Sequence, residues 1–258
     1  MMHVRRFTPH LLRALFISAI ALAASGCSMA QTESFTFQAD MPENFTISPM
    51  AYYASAAGES CSKHNLIQSE QPKGARAVEF KLPLTDTAKG CSMVLKKVVL
   101  NIEGQWGKRD LDMDMGTAFL SVRDEPSETT PLFPTSGPLV FQGQCQWLFR
   151  TMGPYRYIVK ILQCRALDAN GIVQKSLAGG ALQRDQLAGK TVKLVLTMAK
   201  EEVPAVGDNW IKFPAGWKRC MGKGLDDPFA FCFGNTTDFK TFKMPDGRDC
   251  TVYPNCTE

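Results

Sequence analysis

"CQWLFRTMGPYRYIVKILQC" (residues 145–164) decides the fold class. Two runs rich in aromatic and β-branched residues flank Met152-Gly153-Pro154-Tyr155, a turn-forming cluster. Pairing Cys145 with Cys164 across such a hairpin sets Trp147 opposite Leu162 and Leu148 opposite Ile161. Alternation then puts Cys145, Trp147 and Phe149 on one face, shared with Cys164, Leu162 and Lys160 of the partner strand. Lys160 alone is out of place on that apolar face, and its stem is expected to snorkel. The stretch predicts a β-hairpin with a Cys145–Cys164 cross-strand disulfide. An inter-sheet bridge from either cysteine is the alternative.

Similar patterning extends outward on both sides. "SFTFQA" (34–39) alternates, as does "AVEFKLPL" (77–84), with Val78, Phe80, Leu82 and Leu84 on one face. Pro83 marks a sheet edge or a strand end. "SMVLKKVVLNIEG" (92–104) is apolar on both faces and reads as a central strand, while "TAFLSV" (117–122) and "KTVKLVLTM" (190–198) add two more. Only 179–187 has a helix-like pattern. Short strands between Gly, Pro, Asn and Asp turns predict a mainly β protein, an antiparallel β-sandwich over residues 46–202. It is Ig-like in shape only, because Leu162 stands where an immunoglobulin domain has a tyrosine.

From Val203 the character changes. Residues 203–258 hold six glycines, five prolines and four cysteines, and apolar alternation stops. Such a segment cannot bury a large core, so disulfides are expected to fix it. Short loops select Cys220–Cys232 and Cys250–Cys256, which leaves Cys61–Cys91.

The chain begins "MMHVRRFTPHLLRALFISAIALAASGC", with Arg5, Arg6 and Arg13 before a short apolar run and then small residues. That order predicts a signal peptide over residues 1–26. The run is too short to cross a bilayer, which takes about 20 apolar residues. "ASGC" (24–27) resembles the lipobox of bacterial lipoproteins, departing from it at Ala24, where leucine is commoner. The resemblance covers the leader only. It implies a lipidated Cys27, with residues 27–45 as the lipidated N-terminus and first strand or tether, and with Ser28 directing the protein to the outer membrane. "SMA" (28–30) is the rival, an ordinary signal-peptidase site releasing the chain before Gln31. Either route removes Cys27 from the thiol pool and leaves eight cysteines of the nine. An even set in an exported chain implies disulfides.

Without the leader's three arginines, 26 basic residues face 25 acidic ones, so the net charge falls from +4 to about +1. No basic field suggests nucleic acid. His64 is the one histidine outside the leader, next to Cys61 in "CSKHN", and reads as a surface loop residue. One histidine leaves little room for a His-rich metal site. Gly189-Lys190-Thr191 lacks the glycine of a phosphate loop, since Arg184 stands in its place. "QGQCQWLF" (142–149) superficially resembles the papain-type nucleophile segment, but no histidine follows Cys145. Asp110, Asp112 and Asp114 have the spacing of a calcium loop, but Met115 and Ser121 replace its glycine and glutamate. On a strand the aspartates are expected to form a solvated face opposite Leu111, Met113 and Met115.

No metal or cofactor is expected. The reading is an exported envelope lipoprotein, periplasmic and held at the outer membrane through its lipid, or displayed at the cell surface. It acts as a non-enzymatic module binding another envelope or secreted protein, as an inhibitor or immunity protein or as part of a surface or secretion machine. Trp217, Asp226, Asp227 and Phe229 are the candidate partner-binding residues, because aromatic and acidic groups on stapled loops suit recognition. The alternative is an envelope enzyme acting on glycan or lipid through paired carboxylates.

Overall fold

The computed structural model describes residues 33–56, 61–67, 76–125, 127, 130–223, 230–233 and 235–257. The leader, Cys27 and the competing cleavage site lie outside these residues, as do Asp226, Asp227 and Phe229. Nine strands come first: β1 (Ser34–Asp40), β2 (Phe45–Ser55), β3 (His64–Ile67), β4 (Ala77–Pro83), β5 (Thr85–Ala88), β6 (Cys91–Gln105), β7 (Met113–Arg123), β8 (Leu139–Met152) and β9 (Tyr157–Leu167). Shorter ones follow: β10 (Val173–Leu177), β11 (Gly179–Gln183), β12 (Thr191–Met198), β13 (Val203–Pro204), β14 (Trp210–Phe213), β15 (Gly216–Cys220), β16 (Phe239–Lys240), β17 (Phe242–Lys243) and β18 (Asp249–Cys250).

The hairpin at 145–164 forms in the register its sequence requires. Cys145 faces Cys164, Trp147 faces Leu162 and Leu148 faces Ile161 across β8 and β9. The disulfide joins Cα atoms 3.9 Å apart. Three further bridges are Cys220–Cys232 and Cys250–Cys256, the pairs selected by loop length, and Cys61–Cys91, the pair left over. Four disulfides suit an oxidising, extracytoplasmic compartment. Among the described residues, no helix is long and apolar enough to cross a membrane.

The protein is mainly β, with a nine-stranded sheet, a six-stranded sheet and a small three-stranded one. The largest has the order β18-β17-β9-β8-β12-β1-β4, with β10 added at β9 and β13 at β8. The second runs β11-β7-β6-β2-β3, with β5 on β6, and the third is β14-β15-β16. The inner faces of the two large sheets share one core, in which Phe37, Val192 and Leu194 meet Ile47, Leu100 and Leu120.

Two expectations are corrected. The sheets are mixed, not purely antiparallel: β12 runs parallel to both β1 and β8, and β11 runs parallel to β7. Turn residues announce hairpin partners only, whereas β1 and β12 are separated by most of the chain. The stretch 179–187 is β11 followed by a 3-10 turn at Arg184–Gln186, with no α-helix. Its period suggested a helix, but Leu182 and Leu187 both drop into the common core instead.

β2 carries its own alternation, burying Phe45, Ile47, Pro49, Ala51 and Tyr53. Pro49 conceals it in the sequence. That proline lies opposite Leu100 of β6, outside the Met50–Tyr53 span that pairs with β3, so its missing N–H takes no ladder bond from β3.

The C-terminal segment packs on the end of the hairpin. β13 adds to β8, and β17 pairs with β9 at Tyr157. A second core forms there from Phe149, Ile158, Trp210, Phe242 and Tyr253 with Cys250 and Cys256. Phe149 stacks on Tyr253 at 4.1 Å and meets Trp210 edge-on at 4.9 Å. Of the tail's aromatic residues, Trp210, Phe242 and Tyr253 thus join this core and Trp217 packs against it, whereas Phe213, Phe231, Phe233 and Phe239 lie outside it.

Candidate functional site

A cleft of about 730 Å³ opens where the C-terminal segment meets the hairpin and the β6–β7 connection. Trp106, Ile158, Trp217, Met244, Tyr253 and Pro254 give it apolar walls. The volume is typical of ligand sites.

The β6–β7 connection forms one wall. Trp106 N–H donates to the Asp112 carbonyl (2.9 Å), which closes the loop. Asp112 is only 4% exposed and accepts from Arg109 N–H at 3.1 Å and Nε at 2.8 Å. The Arg109 guanidinium also donates to the Pro245 carbonyl at 2.7 Å, tying the connection to the C-terminal segment.

This overturns the solvated face expected of the three aspartates at two of them, while Asp110 is exposed as expected. Asp112 is buried, and the Asp114 carboxylate accepts the Leu162 N–H at 2.8 Å. Leu111, at 88% exposed, and Met115, at 64%, point outward with Met113. The cause lies further along β7, where Gly116, Ala118, Leu120 and Val122 face the core. Period two places Asp112 and Asp114 on the same side. At the end of the apolar core they meet Arg109 and the β9 backbone. Among the described residues, no group of three His, Cys, Asp or Glu side chains is placed to hold a metal ion.

The opposite wall rests on Lys160 and the stretch after β12. Lys160 does not snorkel into open water. Its Nζ lies 2.5 Å from Glu202 Oε1 and 5.1 Å from the centre of the Trp106 ring. The other Glu202 oxygen accepts the Tyr253 hydroxyl. Burial, and then the Glu202 charge, push the Tyr253 phenol far above its ordinary pKa, so it remains a donor. Lys212 pairs with Glu201 at 2.7 Å and lies over the Trp217 ring at 5.7 Å. Trp217 and Tyr253 are joined by backbone bonds in both directions, at 2.8 and 2.9 Å. Gly216 allows that approach. Its φ is +138°, and a Cβ there would lie 2.2 Å from the Tyr253 carbonyl oxygen.

All four carboxylates of the cleft are engaged, with Asp246 bonded to Arg248 at 2.7 Å. The Arg109 side chain holds the Asp112 carboxyl below its ordinary pKa, and Lys212 does the same for Glu201. The Arg248 backbone N–H, then its guanidinium, lowers Asp246. A glycosidase-type general acid needs a carboxyl pushed upward. These three are pushed the other way.

Of the residues singled out in the sequence, Trp217 stands in the cleft wall, half-buried. Trp106, Lys160, Glu202 and Tyr253 were not singled out as site residues. Only the apolar-face position of Lys160 signalled a hidden partner. The chain matches no family model, no curated protein and no solved structure.

Proposed function

We propose that the protein is an exported bacterial envelope lipoprotein that binds another envelope or secreted protein without catalysing a reaction. The observation that carries this reading is the cleft, with aromatic walls and every carboxylate neutralised in place. Its polar groups are pre-set, so little conformational freedom is lost on binding. The facing sheets serve as a sandwich-like support for it. An inhibitor or immunity protein, or a subunit of a surface or secretion machine, suits such a rigid module.

Acylation of Cys27 would anchor the protein at the outer membrane. Cys27 lies seven residues before Ser34, the start of β1. Seven extended residues reach about 24 Å. The domain therefore works close to the bilayer that holds it.

Two experiments test the reading. Mass spectrometry of the mature protein should show an acylated N-terminal Cys27, and Cys27→Ser should release the protein from the membrane. An N-terminus at Gln31 would reject the lipoprotein assignment. A photocrosslinking residue in place of Lys200 should give an adduct with one envelope or secreted protein in living cells. Protein adducts no more frequent than those from a crosslinker on a distant face would reject the binding role.

A further inference from the structure

We infer that the cleft takes an acidic peptide segment bearing an aromatic or aliphatic anchor side chain. This rests on the protein-binding reading above and names the chemistry of the segment bound.

The charges on the rim argue first. Lys160, Lys212 and Arg109 are matched by Glu202, Glu201 and Asp112. Among the described residues, Lys108 and Lys200 line the cleft, are exposed, and form no ion pair. The charge left to a ligand is therefore positive, and it sits at the mouth. An acidic side chain placed there meets two cations while every other acidic group of the cleft is already paired.

The floor and walls argue next. Trp106, Trp217, Ile158 and Met244 offer an apolar seat for one large side chain. The Trp106 indole N–H is buried without an acceptor, and the residue lines the seat. Salt-bridged pairs around the seat present donors and acceptors together. A peptide backbone carries both N–H and C=O groups and can use such a mixed rim. An anionic lipid headgroup would meet the same two cations, but its hydrocarbon chains carry no N–H or C=O groups for the mixed rim.

The test uses the exported, disulfide-bonded mature protein and three probes. They are a synthetic peptide with phenylalanine flanked by aspartates and glutamates, its lysine-substituted counterpart, and phosphatidylglycerol vesicles. Binding is read by tryptophan fluorescence and by polarisation. The acidic peptide should bind and the basic one should not. Lys108→Glu with Lys200→Glu should weaken the acidic peptide by about tenfold or more, as should high salt. Both lysines are exposed, so this double variant should fold normally. Trp106→Phe should keep the fold and weaken the same peptide. Equal binding of the two peptides, indifference to the double charge reversal, or binding of vesicles alone would each overturn the inference. Crosslinking of the same partner in cells by Lys108→Glu carrying the photoreactive residue at position 200, at the level seen with Lys108 in place, would overturn it too, while leaving the protein-binding role intact. If the wild type binds neither peptide nor partner, both fail.

Discussion

Lys160 and Glu202 meet at 2.5 Å although one lies mid-strand in β9 and the other follows β12. The lysine is largely covered, with 15% of its side chain exposed, and Trp106 lies beside it. Tyr253 shares the same carboxylate. Removing Glu202 would strand a covered cation and a buried hydroxyl together. Glu202→Ala should cost about 2–4 kcal/mol in urea unfolding. Glu202→Gln, which can still accept from Tyr253, should cost less. Wild-type stability in the alanine variant would show that the trio is ornamental.

The acid limb of stability should depend on Asp112. Arg109 lowers its folded-state pKa, so the associated stability is present above the unfolded carboxylate value, about 4. It is lost as the pH falls through the lower folded value. Arg109→Ala should therefore flatten the stability profile between about pH 4 and the acid transition. Parallel profiles for the two proteins, read from urea midpoints across that range, would contradict this.

The Cys145–Cys164 bridge spans 19 residues of sequence in the centre of the large sheet. Replacing both cysteines by alanine should cost about 3 kcal/mol through greater freedom of the unfolded chain. Calorimetry of the oxidised variant checks it, and an unchanged transition temperature would refute it.

Gly216→Ala should be far more damaging than Gly137→Ala. Both glycines have positive φ, but a Cβ at Gly137 meets nothing within 4 Å. At Gly216 it collides with the Tyr253 carbonyl and separates Trp217 from Tyr253. About 1 kcal/mol is expected at Gly137 and more than about 2 kcal/mol at Gly216, with weakened ligand binding in the latter alone. Similar losses at the two positions would refute the close approach.

The hairpin was legible because two signals, alternation and cysteine spacing, agree on one register. β6, β7 and β12 were legible from alternation or from continuous apolar character. β2 was obscured by a proline at a permitted position. The parallel neighbours were hidden because nothing local records a pairing between distant strands. Leu111, Met113 and Met115 misled, since side-chain polarity alone points them inward, while the longer register of β7 points them out. The cleft draws on stretches from Trp106 to Pro254. Its residues carry no shared motif, and only the fold brings them together.

Tyr253 stands between Cys250 and Cys256, within the smallest loop closed by a disulfide. In a reducing cytoplasm that loop is open, and nothing covalent holds the phenol against Glu202 and Phe149. Oxidation of the pair therefore helps to set the shape of that part of the cleft wall. On the lipoprotein proposal, binding competence would then follow export.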